Sequence, residues 1–238
     1  MTTITTSTTL GDLVTAYPSL AGELERRELD YCCGGARSLG EACSARGLDP
    51  LQVVLELSIE TAGEEPADWA TLGPVELVDH LVAVHHEYLW RELPRVRLLI
   101  DKVQSVHGER HPELVDVLRL FAELQADLVP HLVKEEQILF PMIRELASST
   151  TAPSFQCGTV KNPISVMLSE HDRVGELLAQ LRFSTNGYVV PADGCASYTA
   201  CYRALEQLEA DTHLHVHKEN NVLFPSVVAL EARMRDAG

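Results

Sequence analysis

Apolar positions along this chain fall in helical order almost throughout. Leu10, Leu13, Val14, Tyr17, Leu20 and Leu24 recur at the three- and four-residue spacing of one helix face. The pattern breaks at DYCCGG, residues 30–35. A second short helix is predicted over 38–46, where Ser38 followed by Glu41 reads as a capping box. A third is predicted over 50–62, opening on Pro50, a favoured first-turn residue. The stretch GEEPADW, residues 63–69, has linker composition and sets a domain boundary there. Residues 1–65 are thus expected to form a small N-terminal cysteine-containing helical domain, and residues 70–238 a larger one. In the larger part, four long amphipathic helices are predicted at about 74–107, 112–148, 161–184 and 195–235. STTAPSFQCGTV (149–160) and STNGYVVPADG (184–194) separate the second from the third and the third from the fourth. Nothing alternates convincingly with period two, so the fold class is all-α.

Composition narrows the function more than the fold. A formal net charge of −16 over 238 residues argues against nucleic-acid binding, which needs clustered lysine and arginine. No apolar run approaches the roughly 18–20 residues of a membrane helix. The first residues, MTTITTSTTL, lack the basic region and apolar stretch of a secretory signal, so a cytoplasmic protein is expected. The six cysteines, at 32, 33, 43, 157, 195 and 201, show no C-x-x-C pair and read as reduced thiols. Only the vicinal Cys32 and Cys33 invite a functional reading. As ligands they are expected to be poorly placed to grip one ion together. As structure, Gly34 and Gly35 are expected to end a helix through positive φ, with the cysteines packed as small hydrophobes.

The strongest chemical signal is a repeat. HLVKEEQILFP (131–141) and HVHKENNVLFP (215–225) each place a histidine four residues before a glutamate: His131 with Glu135, and His215 with Glu219. Positions i and i+4 share a helix face, so each segment offers an imidazole and a carboxylate together. Upstream, His86 and His171 are each followed by an acid and precede their motif by 45 and 44 residues. Two halves, each giving one histidine plus one His-x-x-x-Glu, form the ligand set of a two-metal site inside a four-helix bundle. The Leu-Phe-Pro ends of the two segments are read as core and helix-bend residues. Glu136 is matched by Asn220 and is expected to face solvent. His213 and His217 lie about 200° around the helix from His215 and are expected to be exposed or supporting. His86 is favoured over His85, while His80, His107 and His111 have no counterpart in the repeat. Pro130 should bend or locally open its helix, or mark a helix start. With two imidazoles and two carboxylate oxygens for each metal, positions remain for an oxo or hydroxo bridge and a small exogenous ligand. Such mixed ligation fits iron or manganese, and iron has the redox change that would give the site a purpose.

DYCCGG, KEEQILFPMI, PISVMLSEHD and ENNVLFP together resemble the repair-of-iron-centres di-iron proteins, and the resemblance spans essentially the whole chain. It implies a hemerythrin-like four-helix bundle behind a short cysteine-containing domain. It also implies a non-haem, carboxylate-bridged di-iron centre on His86, His131, Glu135, His171, His215 and Glu219. The implied function is repair of iron–sulfur clusters damaged by nitrosative or oxidative stress, by donation of iron. The implied partners are damaged iron–sulfur proteins and, for assembly, a homodimer. The alternative is a di-iron protein that binds or reduces nitric oxide or oxygen, as enzyme or sensor. Cys32 and Cys33 are the resemblance's candidate thiols for relaying iron or accepting a nitrosyl group.

Overall fold

The computed structural model describes residues 3–61 and 68–236. Among these residues there is no strand, only two isolated bridges, Thr9 with Ser38 and Phe155 with Gly158. The fold is all-α. By its contacts the chain forms two compact units. One comprises residues 1–80, 142–161 and 213–238, and the other comprises 81–141 and 162–212.

The first unit is built on short, firmly capped helices. Helix α1 (Leu10–Ala16) starts where the Thr9 side chain accepts from the Asp12 amide, and α2 spans Ala21–Arg26. Helix α3 (Leu39–Ala45) carries both bonds of the Ser38–Glu41 capping box, and α4 (Pro50–Glu60) is capped by Asp49 with Pro50 in its first turn. Leu10, Leu13, Leu24, Leu39 and Leu57, all at most 1% exposed, form this unit's core together with Val216. Most of the expected linker lies outside the described residues. Its last two residues, Asp68 and Trp69, open a 3-10 turn.

The long helices are interrupted in a specific way. Helix α5 (Pro74–Leu81) widens into a π-turn at Val82–His86 before α6 (Glu87–His107). Helix α7 (Glu113–Lys134) does the same at Glu135–Leu139 before α8 (Phe140–Ser148). Helix α9 (Lys161–Ser184) is uninterrupted, and α10 (Ala196–Lys218) passes through a π-turn at Glu219–Leu223 into α11 (Phe224–Asp236). Pro130 neither starts nor breaks α7, which runs through it. The opening comes five residues later, where the Phe140 amide bonds to the carbonyl of Glu135. The analogous amide of Phe224 bonds to Glu219. Each of these last two π-turns is followed at its second position by a proline, Pro141 or Pro225, which has no N–H to return to an α-helical register.

The second unit has a core drawn from four helices. Leu93, Val96 and Ile100 of α6 meet Val117, Phe121 and Leu124 of α7, Val174 and Leu177 of α9, and Leu205 and Leu208 of α10. Each such side chain contributes about 1.5–3 kcal/mol when fully buried. After α9, Asn186, Gly187 and Tyr188 take positive φ and turn the chain out of the helix. This core predicts that Phe121→Ala, at a fully buried site, costs about 3–5 kcal/mol in chemical denaturation. Phe183→Ala, at a ring 88% exposed on α9, should stay within about 0.5 kcal/mol of the parent.

Candidate metal centre

In the second unit, three helical segments aim polar groups at one point. His86 closes the first π-turn, His131 lies one α-turn before Glu135, and His171 sits in the middle of α9. All four residues are at most 1% exposed. Glu135 Oε2 lies 3.3 Å from His131 Nε2 and 3.5 Å from His86 Nε2. His131 and His171 face each other with their Nε2 atoms 3.1 Å apart.

The outer nitrogens of two of these rings are held by carboxylates. His86 Nδ1 is 2.9 Å from Glu136 Oε1, which also accepts from Trp90 Nε1 at 2.9 Å. His131 Nδ1 is 2.9 Å from Glu170 Oε2, and the other Glu170 oxygen pairs with Lys134. Burial opposes ionisation of Glu170, yet the bonds from Lys134 and His131 outweigh it and hold this carboxyl below its usual range. An ionised carboxylate on Nδ1 selects the Nδ1–H tautomer of a neutral ring. That leaves the Nε2 lone pair pointing toward Glu135, an arrangement that calls for a cation or a proton between them. Carboxylate support of this kind is what metal-binding histidines ordinarily have.

The first unit carries the second His-x-x-x-Glu. His215 Nε2 is 3.3 Å from Glu219 Oε1, and Glu219, with no exposed surface, opens the last π-turn. The following residues turn to a different task. Asn220 Nδ2 donates to the carbonyl of Cys32 at 3.2 Å, and Asn221 Nδ2 donates to the carbonyls of Tyr31 and Cys32 at 3.3 and 3.1 Å. His217 Nδ1 reaches the Tyr31 carbonyl at 3.3 Å, and its Nε2 is 3.1 Å from Thr15 Oγ1. Burial pushes the His217 imidazole down to about 4, so it is neutral at physiological pH. Lys218, only 2% exposed, places its ammonium 2.8 Å from His80 Nε2 and 5.1 Å over the Trp69 ring.

The buried donors are distributed over both units. In the second unit the ligand atoms of His86 and Glu135, and those of His131, Glu135 and His171, lie within 4.8 Å of one another, as in the first unit do those of His215 and Glu219. This buried histidine and glutamate cluster can hold metal: its donors are imidazole nitrogens and carboxylate oxygens, with no thiolate among them.

Three expectations, about Glu136, about His213 and His217, and about Gly34 and Gly35, are revised. Glu136 is about one-third exposed and is engaged by His86 and Trp90, so it orients a ring where solvation was expected. His217 is fully buried, and the half-buried His213 has Nδ1 3.0 Å from Glu25 Oε1. The acids that follow His86 and His171, Glu87 and Asp172, are exposed, whereas Glu170, the acid before His171, bonds to His131. Gly34 and Gly35 are absent from the positive-φ positions, and their missing side chains serve close approach. A Cβ on Gly35 would fall 2.2 Å from Asn221 Oδ1 and 2.6 Å from the Tyr31 carbonyl. Sequence reasoning missed Glu136, Glu170, Asn220 and Asn221 as supporting residues. The replacement of Val133, Glu136 and Gln137 by His217, Asn220 and Asn221 between the repeats was the visible sign that the two halves had diverged.

The remaining cysteines differ in environment. Cys43 and Cys201 are buried, while Cys157 and Cys195 are exposed. Cys195 lies 3.3 Å from His107 Nε2, and that hydrogen bond leads the effects that bring its thiol down to about 7.

Comparison with known proteins accords with this geometry. The family model described as the hemerythrin HHE cation binding domain matches residues 77–227. A second model, ScdA_N, a domain of unknown function, matches residues 6–60. The iron–sulfur cluster repair protein YtfE of Enterobacter sp. strain 638 is 35% identical over 224 residues, covering 93% of this chain and 97% of its own. The proteins of the same name from Escherichia coli strains UMN026 and 536 are each 34% identical over the same length and coverage. Matched nearly end to end by these relatives, and over the region that holds the His/Glu cluster by the cation-binding model, the chain belongs to the hemerythrin-domain family of iron–sulfur cluster repair proteins.

Proposed function

We propose that this protein repairs iron–sulfur clusters damaged by nitrosative or oxidative stress, and that it does so by donating iron from a di-iron centre. The ligands in this reading are His86, His131, Glu135, His171, His215 and Glu219, with both glutamates bridging. The carrying observation is that a buried His-x-x-x-Glu pair occurs twice, His131 Nε2 with Glu135 and His215 Nε2 with Glu219, each imidazole 3.3 Å from its carboxylate and both glutamates opening a π-turn. Two carboxylates with no exposed surface would cost several kcal/mol each if left uncompensated, and a pair of divalent cations supplies the opposing charge. When bound, iron would supply labile, redox-active ions with open positions for a small ligand such as nitric oxide or oxygen.

The chain's own part is to hold and to let go. Glu136 and Glu170 fix the rings of His86 and His131 so that Nε2 faces inward. The π-turns carry the two bridging glutamates at their first residues, where the helix is already opened. Release toward the thiolates of a damaged cluster needs ligands that can part, and carboxylates shared between two ions suit that better than a closed set of cysteines. The division into domains at 1–65 and 70–238 is part of the same reading, supported by the separate family matches over 6–60 and 77–227. Among the described residues no helix is long and apolar enough to cross a membrane.

Protein reconstituted anaerobically with ferrous iron should contain about two irons per chain, and Glu135→Ala or Glu219→Ala should lose most of both, since each glutamate serves both ions. Full retention in either variant would remove the bridging assignment. Iron-loaded protein should restore a nitric-oxide-damaged cluster enzyme, and His131→Ala should not; equal recovery with the two would exclude donation from this centre. Glu170→Gln should keep the fold, as judged by circular dichroism, while weakening iron affinity by roughly 10–100-fold in a chelator competition.

A further inference from the structure

The DYCCGG segment is held by hydrogen bonds from within and from outside. The carboxylate of Asp30 accepts backbone N–H bonds from Cys32 at 3.1 Å, Cys33 at 3.0 Å and Gly34 at 2.9 Å. From outside, the carbonyls of Tyr31 and Cys32 are gripped by His217, Asn220 and Asn221. Gly11 and Gly35 let the Asn221 side chain approach closer than any Cβ would allow. In an extended strand, neighbouring side chains point to opposite faces. Here the chain bends at Cys32–Gly34 and brings the two sulfurs to the same side, 3.8 Å apart. Cys32 Sγ also lies 3.3 Å from Asp30 Oδ1.

We propose that Asp30, Cys32 and Cys33 form a second cation site, separate from the His/Glu cluster, for one thiophilic divalent ion of the zinc class. The ligand atoms of these three residues lie within 4.8 Å of one another. An ion at the usual metal–sulfur distance of about 2.3 Å from both sulfurs would subtend an angle of about 110° at the observed sulfur separation, close to tetrahedral. Adjacent cysteines are therefore not too badly placed to share an ion in this bend, contrary to the expectation from sequence. Cys32 is buried, Cys33 half-buried and Asp30 exposed, so the open side of the site faces solvent and leaves the fourth position to water. Asp30 spends only part of its carboxylate capacity on the backbone, because two oxygens offer about four lone pairs and three are taken by N–H groups.

The test is a titration of reduced, metal-depleted full-length protein with cadmium, read by thiolate-to-metal charge-transfer absorption. One cadmium per chain should produce this band, Cys32→Ser and Cys33→Ser should each abolish the tight phase, and Asp30→Asn should weaken it by roughly tenfold. Cys157→Ser and Cys195→Ser, which change the two exposed thiols, should leave it intact. No thiolate band, or one that survives in both Cys32→Ser and Cys33→Ser, would overturn the proposal. Histidine and carboxylate ligands give no such band, so failure here leaves the di-iron reading untouched, and failure of that reading leaves this one standing. Circular dichroism on Cys33→Ser, a half-buried position, separates loss of a ligand from loss of fold.

Discussion

Glu135 and Glu219 have no exposed surface, and each lies within reach of histidines that are themselves buried. Water cannot solvate these carboxylates, and a low-dielectric interior opposes the burial of each charge unless it is compensated. The structure around them answers that constraint. Imidazole nitrogens converge on the same carboxylates, and carboxylates stand behind two of those imidazoles. Every element of this arrangement makes physical sense once positive charge occupies the centre. A well-packed hydrophobic substitute would have been the simpler solution had stability alone been the requirement.

The π-turns are the mechanical counterpart of that electrostatic demand. Widening the helix at Glu135–Leu139 and Glu219–Leu223 adds a residue to the turn and changes which carbonyl each following amide can reach. The prolines that follow, Pro141 and Pro225, have no amide to lose. From this common scaffold the two halves have diverged. At one repeat position Glu136 orients His86, whereas its counterpart Asn220 grips the carbonyl of Cys32. Lys134 pairs with Glu170, whereas Lys218 is buried against His80 and Trp69. One copy of the motif is thus devoted to orienting buried histidines, and the other also fastens the cysteine loop.

Much of this was legible in the sequence because helical periodicity and motif repetition are local signals. The four long helices, the Ser38–Glu41 cap and the two His-x-x-x-Glu segments all follow from spacing along the chain. What spacing could not reveal depends on residues far apart in sequence. Glu170 acts on a histidine 39 positions away, and Asn221 on carbonyls near residue 31. A π-turn differs from an α-turn only in which carbonyl accepts, so the Leu-Phe-Pro ends hinted at bends without fixing their form. The glycines of DYCCGG suggested backbone conformation because glycine often supplies positive φ. The actual service of Gly35, room for the Asn221 side chain, belongs to a contact that no local pattern encodes.

X-ray absorption at the iron edge of the reconstituted protein tests the central claim most directly. A centre bridged by Glu135 and Glu219 predicts a nitrogen and oxygen shell with about two imidazoles per iron, together with an iron–iron vector no longer than about 4 Å. A sulfur-containing shell, or isolated irons with no such vector, would contradict it.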